Sequence, residues 1–415
     1  MKTIKTICFI SPTGTLDNGA EISIYYLMKL LVFKGYKVIN IAPNSGLTEY
    51  VEKFASIHVK TYMLDVCKWW WIDAPGRDFS REELVYSSQR RNIDEISEIV
   101  ESEKVDLVIT NTINIFQGMI AAALNKIPHF QLIHEFPENE FSYFESKIDF
   151  ISDYSSKIFS VCGELNKTLK EKFVNKDIEY FIPYTEIKKF QLKDGGSHRI
   201  VCVGRLTPRK NQLELIKAYE KLNMEGIKLV FIGDWDKDYK EICDKYIKEN
   251  KILGIQFLGN KKNPWKEVTD KDICVFTSSM ETFGLVYIEA LMNGIPVILS
   301  DNKGHNSAYE IFSFGYKYEL GNLEQLTDSI RSVLINFVEE KRLAIHFIKT
   351  AESKYLLDNC YKNILNEIKQ GILPVSSLYH IREVLLSSSK GLRSMNWKVK
   401  FHNFLKILLR KIKKN

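Results

Sequence analysis

Short β-branched runs alternate with amphipathic stretches of ten or more residues along most of this sequence, and the alternation starts twice. TIKTICFIS (3–11) reads as a strand, PTGTLDNGA as a loop, and EISIYYLMKLLVFKG as a helix ending at Gly35. YKVINIA (36–42) is the next strand; DLVITNT, FQLIHE and SKIFSVC follow, with GMIAAALNK as an intervening helix. Strands joined through helices of this length pair in parallel, which implies a doubly wound sheet. A polar stretch, IPYTEIKKFQLKDGGSH, then interrupts the pattern, and a linker is expected near residues 184–198. Beyond it RIVCVG, KLVFIGD, IQFLG, DICVFTS and PVILSD repeat the strand signal, with QLELIKAYEKL as the first helix. The expected organisation is α/β: two Rossmann-like doubly wound domains over 1–190 and 191–370, then a tail over 371–415. The length of 415 residues suits two or three domains.

Composition excludes several classes. With 45% hydrophobic and 27% charged residues the chain is of ordinary globular type. Seven cysteines are scattered without CxxC or metal-ligand spacing, as expected of a reduced, cytoplasmic protein. The apolar part of MKTIKTICFIS is too short for a signal peptide, and no apolar run is long enough to span a bilayer. Basicity is local. Residues 382–415 hold ten Lys/Arg against the single acid Glu383, a charge of +9 in a chain of net charge +6, so residues 1–381 carry −3. In that tail Trp397, Phe401, Phe404, Leu405, Leu408 and Ile412 recur at helical spacing, with Lys406, Arg410, Lys413 and Lys414 largely opposite. A basic amphipathic helix of this kind suits an anionic membrane surface, or docks back on the protein; its strong apolar face argues against nucleic acid. Trp69, Trp70 and Trp71 cannot all face one core. They fit an acceptor-side platform, a membrane-surface anchor, or packing under a long loop.

The chemistry concentrates in SSMETFGLVYIEALMNGIPVILSD (278–301). A helix from about Gly284, stopped by Asn293-Gly294 and Pro296, follows a strand and a loop. Its first N–H groups, at Gly284, Leu285 and Val286, favour an anion, and Gly284 lets a phosphate approach the backbone. Glu281 precedes that helix and Glu289 lies in its second turn. Carboxylates repel phosphate, so each is expected to accept hydrogen bonds from hydroxyls beside the anion site. The plainer reading is a capped helix with a solvated glutamate. A second element, VGRLTPRKN (203–211), puts Arg205 just after a strand and Lys210 at a helix start. Cations there oppose the helix dipole and call for an anion. Arg offers a fork and Lys a point charge to phosphate.

VGRLTPRKNQLELIKAY, followed some seventy residues later by METFGLVYIEALMNGIPVI, resembles the family-4 retaining glycosyltransferases of the GT-B fold, over residues 1 to about 370. The resemblance implies two domains facing a cleft, with a nucleotide-sugar held by the second. Arg205 and Lys210 would hold the donor diphosphate, and Phe283, Gly284 and Leu285 would bring backbone N–H groups to it. Glu289 would bind the ribose, and Glu281 the transferred sugar. In the first domain SPTGTLDNGAEIS resembles the family's glycine-rich loop, with Gly19 allowing close approach and Asn18 replacing a usual glycine. Glu21 reads as a first-turn helix acid. His134 and Glu135 match a His-acid pair of the family, His134 being either a cleft residue for catalysis or a hydrogen-bonded core histidine. Pro183-Tyr184-Thr185 replaces a usual Asn-Gly.

Asp234-Trp235-Asp236 spells a DxD metal signature, yet loop aspartates after KLVFIG suit helix capping, and Arg205 with Lys210 already supplies positive charge. No metal or other cofactor is expected. The implied reaction is transfer of a sugar from a nucleotide-sugar to a saccharide or lipid-linked saccharide at the cytoplasmic membrane face, with retained configuration. The rivals are a sugar-nucleotide epimerase or phosphorylase of the same fold, and a non-catalytic glycosyltransferase-like partner subunit.

Overall fold

The computed structural model describes residues 3–65, 82–186, 190, 192–371 and 377–379. Trp69–Trp71 and the amphipathic stretch of the tail lie outside the described residues.

Two parallel sheets form in sequence. The first holds β1 (Thr6–Ile10), β2 (Lys37–Pro43), β3 (Lys60–Leu64), β4 (Leu107–Asn111), β5 (His129–Ile133), β6 (Lys157–Val161) and β7 (Ile178–Phe181), in the order β3-β2-β1-β4-β5-β6-β7. The second holds β8 (Arg199–Val203), β9 (Lys228–Ile232), β10 (Ile255–Phe257), β11 (Asp272–Phe276), β12 (Val297–Ser300) and β13 (Tyr316–Tyr318), in the order β10-β9-β8-β11-β12-β13. The central strands β1, β4, β5 and β11 are buried along their whole length. Helices cover both faces of such a sheet, so its strands read as continuous apolar runs.

Strand order reverses between β1 and β4 in one sheet and between β8 and β11 in the other. Loops leaving the C-terminal ends of strands at such a point diverge and open a crevice. The loop after β1 leads to the helix Gly19–Phe33; the loops after β8 and β11 carry Arg205–Lys210 and Glu281–Gly284. The register Asp272↔Arg199, Ile273↔Ile200, Cys274↔Val201 sets those last two loops side by side. At the opposite end of the same strands, Arg199 forks onto Asp272 through Nε (2.8 Å) and Nη2 (2.6 Å).

The chain then returns. Helices Leu357–Cys360 and Lys362–Gln370 pack on the first sheet, with Ile182 N–H donating to Cys360 O (2.9 Å) and Asn363 Nδ2 to Tyr180 O (3.0 Å). Tyr355 stacks on Tyr184, its hydroxyl donating to Pro183 O (2.5 Å) and accepting from Thr185 N–H (2.9 Å). Leu378 N–H donates to Ala123 O at 3.1 Å, at the helix Gln117–Asn125. Among the described residues no helix is long and apolar enough to cross a membrane.

Candidate functional site

The helix Leu285–Met292 is set by its boundaries. Gly284 precedes it at φ 91°, a conformation only glycine adopts without strain, and Gly294 follows at φ 61°. The first helical N–H with a partner is that of Tyr287, to Gly284 O (3.1 Å); among the described residues those of Gly284, Leu285 and Val286 have none. An anion-seeking backbone end therefore faces the crevice. Phe283 beside it is buried in the core and fixes the turn, while Leu285 is half-buried. Gly19, at the start of its own helix, comes close from the other side: a Cβ there would lie 3.2 Å from Leu285 Cδ1.

Glu281 is buried and already paired. Its carboxylate accepts from Lys210 Nζ (2.5 Å), Arg209 Nη1 (3.1 Å) and Ser278 Oγ (2.8 Å). Burial alone would raise its pKa, but the charges of Lys210 and Arg209 hold it down at about 2. The anion expected beside Lys210 is thus met inside the protein by Glu281. Lys210 sits in the turn Pro208–Lys210, capped by Thr207 Oγ1 accepting from Lys210 N–H (3.3 Å). Arg205 is exposed, and among the described residues its guanidinium has no ion pair or hydrogen bond. Arg209, which reaches both Glu281 and Met280 O (2.9 Å), went unnoticed in the sequence although it adjoins Lys210.

Glu289 projects from the second turn to a different set of donors, Thr185 Oγ1 (2.9 Å) and Trp265 Nε1 (2.7 Å). Burial raises its pKa. Thr185 belongs to the Pro-Tyr-Thr departure, and Trp265 lies in KNPWKE, where no periodicity marks it.

Across the cleft His134 ends β5. Its ring is buried against Phe181 (centroids 5.1 Å), burial lowers its pKa to about 3, and its Nε2 has no partner among the described residues. Its carbonyl accepts from Thr282 Oγ1 (2.7 Å), in the loop of Glu281. Glu135 is buried, accepts from Ile113 N–H (3.1 Å) and His134 N–H (3.0 Å), and has its pKa raised by burial to about 7. Glu21 proves more than a first-turn acid. It is fully buried and ties the glycine-containing loop by accepting from Thr13 N–H (2.9 Å) and Thr13 Oγ1 (2.8 Å). Asp236 caps the helix Lys237–Glu249 by accepting from Tyr239 N–H (3.0 Å).

Two facing doubly wound parallel sheets, with anion-seeking groups at the switch point of the second, define the GT-B class of proteins. Residues 183–352 match the family model described as glycosyl transferases group 1. The chain is 27% identical over 241 residues to the poly(glycerol-phosphate) alpha-glucosyltransferase of Bacillus subtilis (strain 168), covering 51% of this chain and 35% of that protein. It is 31% identical over 140 residues to the N-acetylgalactosamine-N,N'-diacetylbacillosaminyl-diphospho-undecaprenol 4-alpha-N-acetylgalactosaminyltransferase of Campylobacter jejuni, covering 32% and 37%. The matches to the first three curated relatives span 35–44% of their lengths. Among solved structures, TarM superposes with a TM-score of 0.70 at 14% identity over 89% of this chain and 99% of that one. Anabaena Alr3699/HepE in complex with UDP and glucose gives 0.67 at 15% over 87% and 98%. At these identities the likeness is one of fold.

Proposed function

We propose that this chain is a retaining glycosyltransferase that moves a sugar from a nucleotide-sugar to a saccharide or lipid-linked saccharide in polysaccharide or glycoconjugate synthesis. One observation carries the reading: the free N–H groups of Gly284–Val286 open beside Lys210 and Arg205 at the strand-order switch of the second sheet. In this reading the diphosphate lies over that helix end, with Arg205 and Lys210 as its cations. Glu289 addresses the ribose, and Glu281 the transferred sugar. Gly19 and His134 close the opposite wall, His134 acting as a neutral imidazole. Catalysis is positioning plus stabilisation of the leaving diphosphate. These cations and the helix end do the work of a divalent metal, so no metal or other cofactor is required.

The relatives named for transfer to poly(glycerol-phosphate) and to diphospho-undecaprenol-linked sugar support an acceptor at a membrane surface. In this chain the basic tail would place the enzyme peripherally on the inner, cytoplasmic face. Leu378 N–H donates to Ala123 O in the helix Gln117–Asn125, and this contact of the first domain supports a reading in which that domain is turned toward the lipid.

The test is thermal-shift screening against UDP-, GDP- and ADP-sugars in EDTA, followed by transfer to lipid-linked saccharides with the product's anomeric configuration read by NMR. Stabilisation by one donor and transfer with retention are expected. Activity lost on chelation and restored by manganese would overturn the metal-free reading; release of free sugar or an epimer without an acceptor would overturn transfer.

A further inference from the structure

His305 has a nitrogen that the fold leaves unused, and it points at the end of the helix Leu285–Met292. The residue is fully buried, in the first turn of the helix Lys303–Phe312 that follows β12. A histidine is unusual there, because cationic character opposes the positive end of the helix dipole. One side of its ring is fully used. Asn302 Oδ1 accepts from Gly304 N–H and His305 N–H (3.0 Å each), which fixes Asn302 Nδ2 as the donor to Ser278 O (2.8 Å) and Ser300 Oγ (3.1 Å). His305 Nδ1 lies 2.9 Å from Asn302 Nδ2 and 3.0 Å from the carbonyl oxygen of Ser300, so it accepts from the amide in one tautomer and donates to the carbonyl in the other. That leaves Nε2, which has no partner among the described residues.

Its direction is given by Gly284. A Cβ at that position would lie 2.9 Å from His305 Cδ2 and 3.4 Å from Nε2. The ring edge therefore fills the space where any other residue would carry its side chain, and Nε2 lies beside Gly284, at the helix end whose N–H groups have no partner among the described residues. A buried nitrogen without a partner is costly. Beside a helix end of eight residues with open N–H groups, the group that satisfies both is an anion.

We propose that His305 is a further phosphate-contacting residue of the donor cleft, its Nε2 donating a hydrogen bond to the diphosphate held at Gly284. The proposal rests on the donor reading above and adds a residue to it. With Nδ1 accepting from Asn302 Nδ2, the neutral ring already carries the Nε2–H; with Nδ1 donating to Ser300 O, an Nε2–H exists only on the imidazolium and donor binding brings a proton. Burial weighs most on the ring and lowers its pKa to about 4; of the charged groups, Glu281, from the loop after β11, favours the proton, and Lys210, from the loop after β8, opposes it. Its other neighbours, Ser278, Ser300, Asn302 and Gly284, are uncharged. An incoming diphosphate supplies the negative charge that tips this balance.

Calorimetry with UDP-glucose, GDP-mannose and ADP-glucose, each in two buffers of different ionisation enthalpy, tests the idea on the full chain. Such diphosphate diesters exchange no proton of their own between about pH 6 and about pH 8, so any uptake belongs to the protein. Proton uptake by the unaltered protein marks the tautomer in which Nδ1 donates to Ser300 O, and its absence the one in which Nδ1 accepts from Asn302 Nδ2. His305→Ala should weaken whichever donor binds roughly 10- to 100-fold, the range of one charge-assisted hydrogen bond, and abolish any uptake. His305→Gln, which keeps a neutral donor, should recover part of the affinity without uptake. Wild-type affinity in both variants would overturn the proposal. If none of the three donors binds the unaltered protein, the donor reading itself falls and takes this proposal with it, a result distinct from a loss confined to His305.

Discussion

Thr282 donates its hydroxyl hydrogen to the carbonyl oxygen of His134 at 2.7 Å, so the loop that carries Glu281 is tied to the strand end that carries the cleft histidine. The tie joins the two sheets at the site itself. Gly304 enforces it from behind, since a Cβ there would lie 2.2 Å from Glu281 O and 2.7 Å from Thr282 C. The loop can shift neither way without losing a contact. Thr282→Val keeps the shape and removes the hydrogen bond, worth about 1 kcal/mol. With the donor residues untouched, kcat should fall roughly 5- to 10-fold while donor KM changes little. Steady-state kinetics with saturating acceptor would show it, and an unchanged kcat would mean that the tie plays no part in setting the site.

Arg205 and Lys210 were alike in the sequence but differ in the fold, and their variants should differ too. Arg205 is exposed and unpaired among the described residues, so Arg205→Ala should leave stability within about 0.5 kcal/mol and weaken nucleoside diphosphate binding by roughly 1.5–3 kcal/mol. Lys210 is mostly buried and holds Glu281. Removing one partner of such a pair leaves a buried charge, which costs up to about 3–5 kcal/mol in full burial. Lys210→Ala should therefore lower both stability and affinity. Its effect should also move with pH. The depressed Glu281 pKa contributes stability that is present above the unfolded carboxylate value and is lost as pH falls toward about 2. Without Lys210 that pKa rises, and acid unfolding should begin at higher pH. Urea melts across the acid range, with calorimetry for affinity, separate the two residues; equal stability loss in both variants would contradict the pairing.

Trp265 and Thr185 each donate to one oxygen of Glu289, at 2.7 and 2.9 Å. A carboxylate held this way points its remaining lone pairs in one direction, which suits recognition of a diol. Trp265→Phe retains the ring and removes the indole donor. Affinity for the preferred nucleoside diphosphate should fall roughly 10- to 100-fold, the scale of one hydrogen bond to a charged group, while the 2′-deoxy form loses less. Competition binding with the ribose and deoxyribose forms checks this. Equal losses for both would mean that Trp265 acts on the base or on packing, not on the ribose contact.

Much of this was legible in the sequence, for local reasons. The helix Gln212–Leu222 and the helix Leu285–Met292 carry their own start and stop signals, in Thr207-Pro208 and in Gly284 and Gly294. The central strands are buried along their length and so are largely apolar. Edge strands lack that signature: KTYML of β3 is only partly buried, and YKY of β13 has three residues. The site's partners were hidden for a different reason. Lys210 and Glu281 are 71 residues apart and meet only because β8 lies beside β11. Trp265 reaches Glu289 from a loop without periodicity, and Tyr355 and Tyr361 close on the first sheet from the far end of the second domain. His305 alone left a trace, a histidine in a first helical turn where the dipole disfavours it.

Glu21 offers the last test, on the opposite wall of the cleft. It is fully buried, and burial raises its pKa to about 7, even though Thr13 and other hydrogen bonds pull the other way. Tyr50 and the Asn40–Ser11 pair surround it without supplying a positive charge. A carboxyl whose folded pKa lies above its unfolded value stabilises the fold in its protonated form. That contribution is complete below the unfolded carboxylate range and is lost as pH rises through about 7. Between those limits the folded state holds one more proton than the unfolded chain, so stability should fall by up to about 1.4 kcal/mol per pH unit from this group. Glu135, also near 7, adds a slope of the same sign. Glu21→Gln keeps the shape and cannot ionise, so its urea-melt stability should decline less steeply over this range than that of the unaltered protein. The glycine-containing loop is tied through Thr13 to this carboxyl, so the variant also reports whether ionisation there loosens the wall at Gly19. A slope identical to wild type would mean that Glu21 is ionised in the fold throughout, held by the Thr13 N–H and hydroxyl alone.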